Sequence, residues 1–157
     1  MEILLALDPG KDKFGWAFVT PGGDLLASGI IPRPHLQELL DGLLAGDLGQ
    51  LSGTIRERRG SGEKLPPPGK ILLGSGTARS LLEEALTARG RNFTLVDEAY
   101  TTLEARPLFW KLHPPGFFAG WIPQSLRVPP RPIDDLAAWA LALRFLRDAS
   151  EKPAGKG

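Results

Sequence analysis

Cysteine is absent from the 157-residue sequence. Its absence excludes disulfide bridges and thiolate metal sites, and it agrees with a reducing, cytoplasmic setting. No run of about 18 apolar residues occurs, so we expect no membrane-spanning helix and no membrane partner. The opening residues MEILLALD lack the basic segment and the long apolar stretch of a secretory signal. We therefore expect a cytoplasmic globular protein.

Acidic residues are missing from one long segment, between Arg106 and Ile133. Basic side chains alternate there with aromatic ones, a pattern typical of surfaces that contact phosphates and stack on bases. The basic residues of this segment are Arg106, Lys111, Arg127 and Arg131. An alternative interpretation is an aromatic loop that faces the core or a second subunit, with solvated arginines. A second basic stretch, at 54–70, is rich in glycine and proline and predicts a surface loop.

The first part of the chain predicts three strands and a helix. Apolar segments at 3–8, 14–20 and 25–32 are separated by turn signals, Pro-Gly and Pro-Gly-Gly-Asp, so they predict an antiparallel meander. Leucines at i, i+3 and i+4 spacing then predict an amphipathic helix that starts after Pro34 and ends near Gly46. We expect residues 49–69 to form a loop.

The rest of the chain alternates strands with helices. It predicts strands at 70–76 and 92–98, a helix at 78–89 capped by Thr77, and a short helix opened by the capping box TTLE at 101–104. A proline-rich coil precedes the last helix, which begins near Ile133. The order predicts an α/β fold with a mixed five-stranded sheet, an antiparallel meander plus two parallel strands, with helices on both faces. We expect one domain over 1–148 and a disordered tail at 149–157.

Acidic residues stand at element ends that this layout brings to one rim of the sheet. Asp8 ends the first strand, Asp97 and Glu98 end the fifth, and Asp134 and Asp135 open the last helix. Because successive strand side chains face opposite ways, only one of Asp97 and Glu98 can share a face with Asp8. Similarly, only one of Asp134 and Asp135 is expected to point inward.

Converging carboxylates predict a site for a hard divalent cation. They repel one another and raise one another's pKa, and Mg²⁺ or Mn²⁺ removes that conflict. Two such ions, about 3.5–4 Å apart, can activate water and stabilise the leaving oxygen of a phosphodiester. Taken singly, each acid has a simpler explanation: Asp8 as a turn residue, residues 97–98 as a solvated strand end, and residues 134–135 as favourable charges at a helix N-terminus.

Three motifs resemble those of the RNase H-like nucleases. LALDPGKDKFGWAFV at 5–19 resembles the first motif of the YqgF/RuvX group and of its relative, the RuvC Holliday-junction resolvase. LVDEAYTTLEA at 95–105 is similar to the group's strand-and-helix motif. PIDDLAAWALALRFL at 132–146 is similar to its last helix. The resemblance covers nearly the whole chain and implies an RNase H-like fold.

This resemblance implies a Mg²⁺- or Mn²⁺-dependent nuclease, with two ions and no covalent intermediate. It implies that Asp8, Glu98 and Asp134 are catalytic metal ligands, with Asp97 and Asp135 as secondary ligands or acid–base groups. The residues expected to contact nucleic acid are Gly10, Lys11, Thr77, Thr101, Thr102, Arg106, Lys111, Arg127 and Arg131. Thr101 and Thr102 are explained equally well as helix caps.

The implied substrate is structured nucleic acid, either a four-way DNA junction or the precursor of 16S rRNA. A junction resolvase would act as a two-fold homodimer. The chain departs from the group's pattern at Ala99, where an arginine is usual, in a shortened GSGT loop at 74–77, and in a longer basic loop at 49–69. The alternative function is a non-catalytic nucleic-acid-binding module. An actin-like ATPase is disfavoured because it needs two such domains.

Overall fold

The structure, a computed structural model, describes residues 2–99, 101–114 and 128–151. It contains one six-stranded sheet and four α-helices within these residues. The strands are β1 (Leu4–Pro9), β2 (Lys13–Val19), β3 (Leu25–Pro32), β4 (Ile55–Arg58), β5 (Lys70–Gly74) and β6 (Thr94–Val96). The helices are α1 (Leu36–Ala45), α2 (Ser80–Ala88), α3 (Thr101–Leu112) and α4 (Asp134–Glu151). The strand order across the sheet is β4-β3-β2-β1-β5-β6.

The predicted meander is confirmed. β1 pairs antiparallel with β2, and β2 pairs antiparallel with β3. The turn between β2 and β3 needs Gly23, whose φ of 95° lies in the left-handed region that favours glycine. β1 pairs on its other side with β5 in parallel, and β5 pairs in parallel with β6. The first strand is therefore central, as the element order predicts.

The prediction of five strands is wrong, because residues 55–58 of the expected loop form β4. This strand pairs antiparallel with the outer edge of β3. Only Ile55 among its four residues is apolar, and the register shifts within the pairing, so Arg56 has no partner residue in β3. One apolar residue and an irregular register leave no alternation in the sequence to indicate a strand.

The parallel half is shorter than predicted. β6 is three residues long and ends at Val96, so residues 97 and 98 lie beyond the strand. Thr77 opens a 3-10 turn rather than capping a helix with its side chain, and α2 follows that turn. The helix expected at 101–104 extends to Leu112 and contains Pro107. α4 continues to Glu151, past the predicted start of the tail, and residues 152–157 lie outside the described chain.

Two apolar clusters cover the two faces of the sheet. On one face, α1 and α2 pack their leucines against the buried rings of Phe14, Trp16 and Phe18 in β2. On the other face, α3 and α4 pack against small residues such as Ala6 and Ala17. Alanines along α4 let its backbone lie close to the sheet, because their side chains are short. Within the described ranges, no helix is both long and apolar enough to cross a membrane.

Candidate active site

Asp8 lies near the C-terminal end of β1, on one rim of the sheet, opposite a glycine that leaves space for α4. Its partner across the antiparallel pair is Gly15 in β2. A Cβ atom at Gly15 would overlap the backbone carbonyl oxygen of Asp134, so the absence of a side chain lets the first turn of α4 rest on the hairpin. The β1–β2 hairpin and α4 therefore bring Asp8 and Asp134 to the same rim, from opposite ends of the chain.

Glu98 reaches this rim from the turn between β6 and α3. Its backbone carbonyl accepts hydrogen bonds from the Thr101 amide at 3.1 Å and from the Thr101 hydroxyl at 2.9 Å. Its carboxylate lies over the end of β5, and a Cβ atom at either Gly74 or Gly76 would overlap it. The glycines of the GSGT loop thus make space for the Glu98 side chain, and Thr101 fixes the backbone from which it projects.

The carboxyl of Asp8 is poorly suited to carry a negative charge in this environment. Burial, a side-chain hydrogen bond with Glu98, and the charges of Glu98 and Asp134 raise the pKa of Asp8 from 3.8 to about 8. Burial is the largest of these causes. Because Asp8 responds to both other acids, the structure brings together the three carboxylates that the sequence pattern singles out.

The three acids are not arranged as a closed ligand shell. Within the described ranges, no three His, Cys, Asp or Glu side chains are close enough together to enclose an ion as they stand. Asp134 is turned towards a cation instead, with its Oδ2 atom 3.3 Å from Nζ of Lys13. Glu98 Oε2 is buried and has no hydrogen-bond partner among the described residues. The site therefore contains a buried Glu98 oxygen without a partner, an Asp8 carboxyl that resists ionisation, and an Asp134 carboxylate paired with lysine.

Asp97 and Asp135 have other partners in the structure. The Asp97 side chain accepts a hydrogen bond from the Ala99 amide at 3.0 Å, which shapes the turn before α3. Asp135 is fully buried and accepts hydrogen bonds from Ser28 at 2.7 Å and Arg131 at 2.8 Å. These contacts give Asp97 a role in the turn and Asp135 a role in holding α4 on β3.

Arg131 joins a polar network beside the start of α4. Its guanidinium contacts Asp135 and, at 2.6 Å, Glu57 Oε2, and Nε2 of His113 lies 2.8 Å from the same Glu57 oxygen. Burial alone would lower the pKa of Arg131, but hydrogen bonds to Asp135 and Glu57 raise it above its ordinary value. The guanidinium also lies over the ring of Phe109, 5.5 Å from its centre. This network ties the edge strand β4 to the ends of α3 and α4.

The residues predicted to contact nucleic acid are spread over the molecule. Gly10, exposed Lys11 and exposed Thr77 lie near the rim end of the sheet, whereas Lys111 lines a cavity with Asp24 and Arg59 at the other end of the β3–β4 pair. The hydroxyl of Thr101 is used to hold the Glu98 backbone. Arg106 is half-buried in α3, and Arg131 is ion-paired. The side chain of Thr102 and the whole of Arg127 lie outside the described residues.

Lys13 is the site residue that the sequence reasoning missed. Because Lys13 and Gly15 are two residues apart in β2, they share a face of the sheet, and this face carries the start of α4. The alternation along β2, read together with the predicted position of Asp134, is the signal that could have identified Lys13.

Comparison with known proteins shows the fold. No protein-family model matches the chain, and no curated protein sequence is significantly similar to it. Among solved structures, it is similar to T. thermophilus RuvC in complex with a Holliday junction substrate, with a TM-score of 0.53. The alignment covers 96% of this chain and 97% of that one, at 12% sequence identity. The chain therefore has an α/β fold similar to that of RuvC, with a mixed sheet and helices on both of its faces.

Proposed function

We propose that this chain is a Mg²⁺- or Mn²⁺-dependent endonuclease that hydrolyses phosphodiester bonds in structured nucleic acid, and that it is related to the YqgF/RuvX group. The observation that carries the proposal is the meeting of Asp8, Glu98 and Asp134 at one rim, where burial and mutual repulsion disfavour the Asp8 anion. A protein gains no stability from burying carboxylates that repel one another, so this arrangement is explained best by a cation that binds them.

The residues fit a hard divalent cation. Carboxylate oxygens are the ligands that Mg²⁺ and Mn²⁺ prefer, and Glu98 Oε2 is a buried oxygen that lacks a partner among the described residues. Asp8 and Glu98 would hold the ion, and Asp134 would join them by exchanging its ion pair with Lys13 for the metal. A metal centre of this kind supplies an activated water and neutralises charge on the phosphate.

The chain's own residues position these ligands. Thr101 anchors the backbone of Glu98 through two hydrogen bonds, and Gly74 and Gly76 leave the space that its side chain fills. Gly15 lets the first turn of α4 lie against the hairpin that carries Asp8. Removing any of these supports would displace a ligand without removing its carboxylate, and small displacements of catalytic groups reduce rates strongly.

A four-way DNA junction is the first substrate to test. The RuvC structure that this chain resembles is a complex with a Holliday junction substrate. Precursor 16S rRNA is the second substrate, because the resemblance of the three motifs extends to the YqgF/RuvX group. Cutting a junction symmetrically needs two active sites, so we propose a homodimer for the first substrate. A single copy would suffice for trimming RNA.

The experiment is a cleavage panel. DNA junctions, linear duplexes and structured RNAs, including an rRNA precursor, are incubated with the wild type in Mg²⁺, Mn²⁺ or EDTA. We expect metal-dependent cutting that falls to background in Asp8→Asn, Glu98→Gln and Asp134→Asn. Glu84→Gln is the control, since Glu84 is an exposed acid of α2, on the opposite face of the sheet. Cleavage by Asp8→Asn at the wild-type rate would refute the assignment.

One observation favours a second candidate, a binding module without catalysis. The ion pair between Lys13 and Asp134 occupies one of the three carboxylates in the structure as it stands. If this pair persists in the presence of metal, the protein would bind nucleic acid and cut none of the panel. Binding without cleavage in both metals would support this candidate over the nuclease.

A further inference from the structure

A cavity of about 340 Å³ adjoins the candidate active site on the same rim of the sheet. Lys13, which pairs with Asp134, forms part of its wall, so the cavity and the carboxylates share one side chain. Pro132, two residues before Asp134, forms another part. Thr54, just before β4, and Arg56, within it, also line the cavity. The cavity therefore extends the candidate active site towards the edge strand.

Arg56 is placed in this cavity by the irregular pairing of β4. Ser28 pairs with Glu57 and Gly29 pairs with Ile55, so Arg56 is the extra residue of a β-bulge. Bulges redirect side chains and are frequent beside active sites. Arg56 is exposed, and within the described ranges it has no ion pair or hydrogen bond through its side chain. Its charge is thus available to a ligand.

The lining suits one nucleotide of a strand. Lys13 and Arg56 are the two cations of the lining and Asp12 is its one acid. Lys13 is also paired with Asp134, so Arg56 carries the positive charge that is available to a phosphate group. Ile30, Pro32 and Pro132 supply apolar surface, which favours a sugar or base. The volume lies at the lower end of the range of about 300–1,000 Å³ for small-molecule sites, so it suits a single nucleotide and not a duplex.

We propose that this cavity binds a nucleotide next to the cleaved phosphodiester, with its phosphate held by Arg56 beside the Lys13–Asp134 pair and its sugar or base packed against the two prolines. The proposal rests on the proposed nuclease function, since the bound strand is that nuclease's substrate. Arg56 then determines where the strand lies relative to Asp134, through Lys13, which borders both sites. Arg56 is a binding residue and takes no part in the chemical step.

Binding is measured apart from cleavage, in EDTA, by fluorescence anisotropy with a labelled four-way DNA junction and a labelled single strand. The variants are Arg56→Ala, Arg56→Lys and the matched control Arg59→Ala. Arg59 carries the same charge just after β4 but lines the cavity at the opposite end of the strand. We expect Arg56→Ala to weaken binding about tenfold and to reduce the salt dependence by about one phosphate contact. Arg56→Lys should recover part of the affinity, and Arg59→Ala should stay within about twofold of the wild type.

A second experiment locates the contact. Single phosphates of the strand are replaced by neutral methylphosphonates, one position at a time. We expect one position to weaken binding by the wild type and to have no effect on Arg56→Ala, because the partner of that phosphate is already missing. The proposal is overturned if Arg56→Ala and Arg59→Ala bind equally well, if no position shows this dependence, or if the wild type binds neither probe. A wild type that binds but never cuts would instead overturn the nuclease function alone.

Discussion

Asp8→Asn should stabilise the protein without metal at high pH. The pKa of Asp8 is raised from 3.8 to about 8, chiefly by burial and then by Glu98 and Asp134. The folded protein therefore holds a proton that the unfolded chain releases between these two pH values. It follows that the unfolding free energy of the wild type falls as the pH rises from about 4 to about 8. Asparagine has a similar shape and no charge, so the unfolding free energy of the variant should not fall with pH for this reason.

The size of the effect follows from the same pKa. Each unit of difference between the folded and unfolded pKa of Asp8 changes the unfolding free energy by about 1.36 kcal/mol. A difference of about four units therefore gives an upper bound of about 5–6 kcal/mol. The rim is partly open to water, which weakens electrostatic effects, and we expect about 2–4 kcal/mol. The variant should therefore equal the wild type at about pH 4 and below, and exceed it by this amount near pH 9.

The assay is urea unfolding followed by tryptophan fluorescence, in EDTA, at pH 4, 7 and 9. Asp12→Asn, at an exposed position of the same hairpin, is the control and should retain the wild-type pH dependence. Adding Mn²⁺ at 100 times its dissociation constant should stabilise the wild type by about 2.7 kcal/mol and leave Asp8→Asn nearly unchanged. If the wild type and Asp8→Asn show the same pH dependence in EDTA, Asp8 does not titrate as a buried group and the reasoning fails.

Three further perturbations test how the site is built. Gly15→Ala puts a Cβ atom into the first turn of α4 and should destabilise the fold by about 1–3 kcal/mol in urea unfolding, whereas Gly62→Ala, which meets no atom within 4 Å, should stay within about 0.5 kcal/mol. Ser28→Ala removes a hydrogen bond to the buried Asp135 carboxylate, and we expect a loss of about 1–3 kcal/mol by the same measurement. Mn²⁺ should raise the melting temperature of the wild type but not that of Glu98→Gln; an equal rise in both would argue against Glu98 as a ligand.

The meander and the helices could be predicted because their signals are local. The strand predicted at 25–32 matches β3, since an apolar run ends there at a proline. α1 ends at Gly46, whose φ of 70° gives the left-handed cap that its glycine predicts. β4 could not be predicted, because its pairing with β3 depends on residues distant in sequence and its bulge breaks the alternation. Local patterns indicate an element; they do not indicate a short strand stabilised only by its neighbour.

The candidate site, like the fold, could be predicted from the sequence only in part. Topology is enough to predict that acids from two strand ends and a helix start share one rim, but it leaves the members of each acidic pair open. The resemblance to the RNase H-like motifs is what selects Glu98 and Asp134. The alternation argument for choosing between Asp97 and Glu98 has no basis in the structure, since β6 ends at Val96. The alternation along β2 places Lys13 on the face that carries the start of α4, but the directions in which Lys13 and Asp134 turn depend on the packed structure.

The polar network around Arg131 makes α4 depend on the edge strand. Asp135 is buried next to Asp134, so its hydrogen bonds to Arg131 and Ser28 fix the rotation of the helix about its axis. Glu57 extends the same network to β4. The rotation of α4 decides which of its acids faces the rim, so residues of β3 and of the edge strand β4 control the direction of Asp134.

The two outer strands limit how copies of this protein can assemble. β4 has four residues, of which three are charged, and β6 is only three residues long. Short, charged border strands resist recruitment of a further strand from another molecule, so a continuous intermolecular sheet is disfavoured. The proposed dimer would therefore form through helices or connecting segments. Side-chain packing, and not a shared sheet, would then set the distance between the two carboxylate rims of the proposed dimer.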